Sequence, residues 1–539
     1  MIEKFIYLLV LINFSALSQT VLDVPKFRIY PGTLTQTEPV AAINPLNSSV
    51  IFVSAVTVNI SGGFKSEGVY VSTDGGYNWT GSDTCSGASI INHGGDPGVA
   101  ITDNSRLILS HIGYLYPGMY SNYSDDLAIT WSPNNEITGN QSEDKGTLTI
   151  DKSSQSAFHG RLYLTWVDIV NSPRTVQISY STDNGENWSQ PMQVNPNPPT
   201  NSTGTSITID QNGKLYICWA GYTSAYPYHE DYIGFATSSD GGVSWSVNQN
   251  IIDMNGIAGV LSEKSNIKVN GLPHIEIDKS GGLRNGWLYI VTTEKNNSPA
   301  GSDPDIIFHR STDEGVTWSQ GIRVNQDPVN DGRIQYFPDI NVDDSGNINI
   351  LSYDDRNTSS DSTSVFITRS TDGGDNWSEF EIKNTTFKPK PIAGGSSGYQ
   401  GDHIGLISRN NYLNAFWMAD YSGIYQVWSA VIDKNVLGIK EPVNNTLFSF
   451  TLYQNYPNPF NPSTTIEYHL NKSGFVLLKL YDLRGIELTS LVNQYQPAGS
   501  YKINVSSHLS NGLNLPSGVY FYRIFSNNTS QTKSMVLLK

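Results

Sequence analysis

Alternating apolar and polar positions recur along most of the chain. The runs Thr147–Asp151, Ser206–Asp210, His274–Asp278 and Asp339–Asp343 each end in aspartate, and a turn and a second apolar run follow. Such alternation predicts half-buried β-strands. Each unit then contains an inner, a second and a third strand and a short outer strand such as Met192–Val194. Four antiparallel strands that repeat radially predict the blade of a β-propeller.

An octapeptide of the form Ser-x-Asp-x-Gly-x-x-Trp recurs at intervals of 52 to 73 residues. We expect its aspartate to accept hydrogen bonds from backbone N–H groups of its own turn, and its glycine to adopt a positive φ. The tryptophan is expected to pack between neighbouring sheets. Each copy is therefore predicted to be a structural hairpin corner; the alternative, a calcium loop, would need more carboxylates. The aspartate and tryptophan of the six copies, one of which has alanine for glycine, are Asp74 and Trp79, Asp126 and Trp131, Asp183 and Trp188, Asp240 and Trp245, Asp313 and Trp318, and Asp372 and Trp377.

The number of blades follows from the inner strands. The last unit, 401–432, has three strands and no octapeptide, and Lys26–Tyr30 would supply its missing outer strand. The fold class is all-β: a seven-bladed propeller, with six blades as the alternative, followed by a small C-terminal β-sandwich. Inner strands are predicted to start near Glu38, Asp96, Asp144, Thr205, Pro273, Pro338 and Asp402.

The two ends of the chain predict export. Lys4 precedes the apolar run Phe5–Leu17, and small residues stand before Gln19, which is typical of a cleaved signal peptide over 1–18. The propeller is predicted over 19–442. Composition shifts near Val443, and the turn-rich segment that follows predicts a separate β-sandwich over 443–539.

This C-terminal module carries Tyr456–Thr464, Tyr481–Gly485, Pro516–Tyr520 and a final Lys539. These motifs resemble the type A C-terminal sorting domain of the type IX secretion system, which sends cargo across the outer membrane of Bacteroidetes-type bacteria. The resemblance implies contact with that secretion machinery. It also implies a final location outside the cell or on its outer surface, after cleavage of the tag.

Charge and cysteine content exclude several classes of protein. The net charge is −16 and no cluster of lysine or arginine is present, so nucleic acid is not an expected partner. No transmembrane segment is expected after signal cleavage. The two cysteines, Cys85 and Cys218, cannot form a disulfide scaffold; we expect Cys218 in the core, and a single disulfide between the two stays the alternative.

The octapeptides resemble the Asp-box, or bacterial neuraminidase repeat, of the sialidase superfamily. That resemblance implies a tyrosine nucleophile paired with a glutamate, an aspartate acid/base, and three arginines that clamp a substrate carboxylate. Arg28 lies in Phe27–Pro31, which matches the family's first arginine motif apart from one inserted residue. Tyr336 and Tyr399 flank inner-strand starts. The same repeat also occurs in non-catalytic propellers.

Inner-strand starts converge on one mouth of a propeller channel, so the polar residues there are the candidate site. Three interpretations stay open: acids that cap turns, oxygen ligands for calcium, or a carboxylate pair for glycoside hydrolysis. No cofactor is required, structural calcium is possible, and the metal content is unknown. The candidate catalytic residues are Asp96, Asp144, Asp402, Tyr399 and Arg28, and the candidate ligand-binding residues are Glu38, His274, Tyr336 and His403.

The leading hypothesis is a secreted or surface-anchored sialidase-like protein that acts on extracellular glycans or glycoproteins. If it is an enzyme, it is predicted to be a glycoside hydrolase of the exo-sialidase type. The alternative is a non-catalytic propeller for glycan binding, adhesion or protein interaction. The convergence of three arginines on a tyrosine–glutamate pair would distinguish them.

Overall fold

A computed structural model describes residues 20–59, 63–85, 93–139, 143–222, 229–393, 395–438, 450–470, 473–482, 487–509, 512–526 and 529–539. The described chain falls into two compact units, 20–438 and 450–539. The predicted signal peptide, 1–18, and the predicted boundary at 442 lie outside the described residues. No described helix is long and apolar enough to cross a membrane.

The first unit is built of short antiparallel sheets, each formed mainly by consecutive strands. Two short strands, β1 (Thr20–Leu22) and β2 (Lys26–Arg28), precede the first sheet. The first four sheets are β3 (Thr35–Ile43), β4 (Ile51–Asn59), β5 (Gly63–Ser72) and β6 (Thr80–Ser82); β7 (Gly98–Ile101), β8 (Leu107–Ile112), β9 (Met119–Ser124) and β10 (Asn135–Glu136); β11 (Glu143–Ile150), β12 (Leu162–Asp168), β13 (Thr175–Ser181) and β14 (Met192–Gln193); and β15 (Asn201–Ile209), β16 (Leu215–Tyr222), β17 (Glu230–Ser238) and β18 (Ser246–Asp253).

A small hairpin interrupts this series before three further sheets complete it. The hairpin is β19 (Gly259–Leu261) and β20 (Ile267–Val269), with a 3₁₀ turn at Ser262–Lys264; a second 3₁₀ turn, Val436–Gly438, ends the unit. The three sheets are β21 (His274–Ile277), β22 (Leu288–Glu294), β23 (Asp305–Ser311) and β24 (Ile322–Arg323); β25 (Gln335–Val342), β26 (Ile348–Asp354), β27 (Ser364–Ser370) and β28 (Ser378–Ile382); and β29 (Gly405–Arg409), β30 (Tyr412–Ala419) and β31 (Gln426–Asp433).

The inner strands form a closed ring. Strands β3, β7, β11, β15, β21, β25 and β29 contact one another in this order, and β29 contacts β3. The described residues thus hold seven sheets around a channel, the number that the seven-bladed prediction expects. Strand β2 pairs with β31 and supplies the outer strand of the seventh sheet, as predicted. Strand β1 pairs in parallel with β28 of the sixth sheet.

Each octapeptide connects a third strand to an outer strand, at the end of the sheet opposite the inner-strand starts. In all six copies the aspartate accepts a hydrogen bond from the backbone N–H four residues later, which confirms that prediction. Ala128 takes the glycine position with φ +69°. The tryptophans pack on the preceding sheet: Trp131 on Phe52 and, across the closure, Trp79 on Phe416.

The second unit is a β-sandwich, as predicted. One sheet has the order β32-β33-β36 and the other the order β35-β34-β37-β38. Buried side chains from both sheets, among them Ile466, Leu478 and Tyr522, form one core. The strands are β32 (Phe450–Leu452), β33 (Ser463–Leu470), β34 (Gly474–Tyr481), β35 (Glu487–Gln496), β36 (Gly499–Ser506), β37 (Gly518–Ser526) and β38 (Thr529–Leu537).

The two cysteines are not joined. Cys85 and Cys218 are both free and fully buried. Cys218 lies in β16 and packs in the core, as expected, and the disulfide alternative is wrong. Burial raises the pKa of both thiols far above the ordinary value, so neither is a reactive thiolate at neutral pH.

Candidate functional site

Several inner strands begin with an irregular backbone. Glu38 in β3, Asp96 just before β7 and Phe337 in β25 have φ of +56°, +51° and +52°, and a proline follows each of them. Register shifts at Glu38 and Phe337 mark bulges in the strand pairing. Left-handed backbone in residues other than glycine costs energy, and it tends to persist where it directs a side chain toward a functional site. We call this end of the channel the rim.

The channel opens into two cavities along its length. The upper cavity, next to the rim, has a volume of about 290 Å³ and is lined by residues from all seven inner strands, including His274, Asp339 and His403. The lower cavity has a volume of about 540 Å³. Among the described residues, the lining of neither cavity contains an arginine.

Five polar residues meet at the rim, and we call them the rim cluster: Glu38, Asp96, Tyr399, Asp402 and His403. Tyr399 is hydrogen-bonded to the carboxylate of Glu38, which is only 4 % exposed. One ligating atom each of Glu38, Asp402 and His403 lies within 4.8 Å of the other two. Asp402 Oδ1 is 3.3 Å from His403 Nε2.

The first and last sheets build this cluster together. Thr37 in β3 donates a hydrogen bond of 2.5 Å to the carbonyl oxygen of Gln400, 363 residues away. Gly401 makes the approach possible, because its φ is +100° and a Cβ there would lie 1.9 Å from Thr37 Oγ1 and 3.0 Å from Glu38 Cγ. The segment that carries Tyr399 and Asp402 is therefore held against the bulge that carries Glu38.

Electrostatics keep the phenol of Tyr399 neutral. Burial raises its pKa well above the ordinary value, and the negative charges of Glu38, Asp402 and Asp96 raise it further. The charge of Asp96, which comes from the segment between the first and second sheets, also acts on this phenol. A protonated phenol beside carboxylates can donate its proton when it reacts.

The other sequence candidates lie in different places. His274 Nδ1 is 3.4 Å from Asp339 Oδ1 on the wall of the upper cavity. Asp144 is the second residue of β11, opposite Val167. Tyr336 is fully buried and packs on aromatic neighbours in the core, because the bulge turns it away from the rim. Arg28 lies on β2, the outermost strand of the seventh sheet. Neither Tyr336 nor Arg28 therefore lies at the rim.

An insertion brings one residue that sequence reasoning missed. Residues 254–273 connect the fourth and fifth sheets, and Asn270 within them donates a hydrogen bond of 2.7 Å to Asp402 Oδ2. The hairpin is locked by the fully buried ion pair of Lys264 with Asp355, 2.5 Å long. The sequence does indicate this insertion, because 73 residues separate the octapeptides that start at Ser238 and Ser311, whereas at most 59 separate any other neighbouring pair.

Glu67 holds the segment that carries Asp96. Its Oε1 accepts a hydrogen bond of 2.9 Å from the backbone N–H of Gly95. The side chain is fully buried, and burial raises its pKa to about 8, with a smaller contribution from the charge of Asp96. Glu67 therefore carries its proton over most of the range below pH 8.

Three members of the rim cluster form the group of described residues able to hold a metal ion: Glu38, Asp402 and His403. An imidazole with two carboxylates suits zinc or manganese. Calcium prefers six to eight oxygen ligands, so this group fits the calcium expectation poorly.

Comparison with known proteins identifies the C-terminal unit. Residues 454–538 match the family model of the secretion system C-terminal sorting domain. This unit is a sorting domain. The chain is therefore exported, through the type IX system, to the cell surface or the extracellular space. No curated protein matches the chain.

Solved structures resemble the propeller unit. An ulvan lyase, a polysaccharide lyase, is 10 % identical with a TM-score of 0.50, over 76 % of this chain and 96 % of its own. A Hadza microbial sialidase is 13 % identical with a TM-score of 0.39, over 73 % and 75 %. An α-L-arabinofuranosidase from Fusarium graminearum is 14 % identical with a TM-score of 0.37, over 63 % and 93 %. At such identity the likeness concerns the fold alone.

Proposed function

We propose that the propeller unit is a secreted glycoside hydrolase that cleaves an extracellular glycan at the rim. The observation that carries this proposal is the hydrogen-bonded pair of Tyr399 and Glu38 at the mouth of the channel, with Asp402 close to Glu38 and the charge of Asp96 acting on the phenol. A neutral nucleophile, a base within hydrogen-bond reach and a further carboxyl group are the parts that glycosidic cleavage needs.

Each residue has a role in the proposed reaction. The Tyr399 oxygen attacks the anomeric carbon while Glu38 takes the phenolic proton, and the bond from that carbon to the leaving oxygen breaks. Asp96 donates a proton to the leaving oxygen. Water then attacks the anomeric carbon while Asp96 takes a proton from that water; the bond from this carbon to the Tyr399 oxygen breaks, and Tyr399 regains its proton from Glu38. Asp402 is less free for acid–base work, since Asn270 and His403 hold it.

The proposed substrate differs from the one that the sialidase resemblance implies. A sialidase clamps the substrate carboxylate with arginines. The described lining of the upper cavity contains no arginine, and Arg28 lies on an outermost strand. We therefore propose a sugar without a carboxylate at the cleavage position instead of sialic acid. The polysaccharide named for the ulvan lyase, which shares the fold, supports a polymeric substrate.

The test is product analysis. The purified protein is incubated with arabinan, xyloglucan, alginate and mucin, and released sugars are identified by mass spectrometry. We expect saturated sugars from at least one neutral polymer and none with the Glu38→Gln variant. Released sialic acid, or unsaturated products that indicate elimination, would contradict the proposed chemistry. The absence of any product from folded protein would favour the non-catalytic alternative.

Cation binding is a second candidate role, favoured by the convergence of Glu38, Asp402 and His403. These residues would hold a transition-metal ion, which would supply positive charge beside the substrate. Calorimetric titration with zinc chloride should then show one site that the His403→Ala variant lacks. Equal binding by both proteins, or a preference for calcium, would contradict this role.

A further inference from the structure

The loop between β8 and β9 exposes three consecutive apolar side chains. Tyr114, Leu115 and Tyr116 are 67 %, 54 % and 64 % exposed, and we call them the aromatic loop. Other strongly exposed apolar side chains of this unit, such as Leu283 and Val316, stand singly. Exposure of a large apolar side chain loses the free energy of burial, so a run of three indicates a binding surface.

Strand register places the aromatic loop at the rim. Gly98, the first residue of β7, pairs with Ser110 of β8, and Ile101 at the other end pairs with Leu107. The chain therefore leaves β8 at the end where the inner strands begin. That is the end that carries the rim cluster.

The aromatic loop is held directly against the segment that carries Asp96. Ile112 N–H donates a hydrogen bond of 3.1 Å to the carbonyl oxygen of Gly95, and His93 and Gly113 form an isolated bridge. A Cβ at Gly94 would lie 2.9 Å from the Gly113 carbonyl carbon and 3.0 Å from the Tyr114 nitrogen. Only glycine allows this approach, so the two segments have a fixed relation.

We propose that the aromatic loop is a subsite that binds a polysaccharide chain which extends away from the cleavage position. A tyrosine ring offers a flat apolar face and a hydroxyl group, which match the apolar face and the hydroxyl groups of a sugar ring. The three side chains expose a few hundred Å², roughly half of the ~800 Å² that a stable protein partner needs on each side. Continuity with the rim cluster and export of the chain favour a glycan as the occupant.

This inference rests on the proposed function and makes the substrate more specific. A subsite beside the cleavage position gives affinity to a polymer and none to a single sugar residue. Its loss should therefore raise KM for a polymer and leave kcat, and the turnover of a small aryl glycoside, unchanged.

The test is affinity electrophoresis of the purified full-length protein in gels that contain arabinan, xyloglucan, alginate or mucin. We expect at least one polymer to retard the wild type, and the Tyr114→Ala/Tyr116→Ala variant to bind that polymer about tenfold more weakly. The matched control is Tyr77→Ala, since Tyr77 is 41 % exposed on an octapeptide at the opposite end of the first sheet. Its affinity should equal that of the wild type.

The outcomes separate this inference from the proposed function. Equal retardation of the double variant and the wild type, or no retardation by any of the four polymers, overturns the subsite. Tyrosine-dependent retardation without released sugar supports the subsite and contradicts glycoside hydrolysis. Cleavage of a polymer with the same KM in the double variant and the wild type contradicts the subsite alone.

Discussion

The propeller unit uses acidic residues in two ways, at opposite ends of its sheets. At the octapeptide corners each aspartate is satisfied by its own turn; hydrogen bonds from Ser244 and neighbouring groups lower the pKa of Asp240 to about 2. At the rim, Glu38, Asp96 and Asp402 come from three separate segments, and their charges together raise the pKa of one phenol. The repeated acids are local and structural, whereas the unrepeated acids meet only in the folded ring. In a repeat protein, function is best sought where the repeat is broken.

The largest expected effect is the loss of the rim phenol. Tyr399→Phe removes one oxygen and should lower kcat on the best polymer by about 10³-fold or more, because the nucleophile is lost. Tyr336→Phe is the matched control, since that phenol lies in the core. Steady-state kinetics of both variants should show full activity for the control. Equal activity of both variants would remove Tyr399 from the mechanism.

The next effect concerns buried acids outside the corners. Burial raises the pKa of Glu67 and of Glu143 from 4.5 to about 8. The folded protein thus binds more protons than the unfolded chain between these pH values, so the free energy of unfolding falls as pH rises from about 5 to 8. The fall is on the order of 3 kcal/mol for each group. Urea unfolding at pH 5 and 8 should show it, and Glu67→Gln/Glu143→Gln should flatten it. A parallel fall in wild type and variant would exclude these two groups.

A smaller effect is expected at a corner. Asp183→Ala removes acceptors for the Asn187 backbone and side chain. It should lower the free energy of unfolding by about 1 kcal/mol and leave activity unchanged. Glu38→Gln should abolish activity and leave the free energy of unfolding nearly unchanged. If Asp183→Ala lost activity while its free energy of unfolding stayed unchanged, the assignment of structural acids to the corners and functional acids to the rim would be wrong.

An effect of similar size, on activity instead of stability, is expected at Asn270. Asn270→Ala removes the hydrogen bond to Asp402 Oδ2. The loss of one such bond is worth about 1 kcal/mol, so activity should fall about fivefold with little change in Tm. Kinetics and thermal unfolding measure the two quantities. A large drop in Tm would assign the residue to stability alone.

Sequence reasoning performed well where the information was local. The octapeptide hydrogen bonds and the packing of the tryptophans follow from short stretches of sequence. The strand that β2 adds to the seventh sheet follows instead from counting the strands of each unit. It performed poorly for Tyr336, because a bulge decides whether such a side chain faces the rim or the core. Asn270 was missed because an insertion from another sheet delivers it. Side chains that meet from segments hundreds of residues apart produce no periodic pattern in the sequence.

The hydrogen bond from Thr37 to Gln400 joins the first sheet to the segment before the last inner strand. The rim cluster therefore lies at the seam, the place where the two ends of the ring of sheets meet. Glu38 comes from the first sheet and Tyr399 and Asp402 from the segment before the last inner strand, so a ring that opens at this seam has no complete site. Catalytic competence therefore serves as a readout of closure. Partial opening of one seam needs less free energy than global unfolding, and activity should vanish at denaturant concentrations that leave most sheets intact.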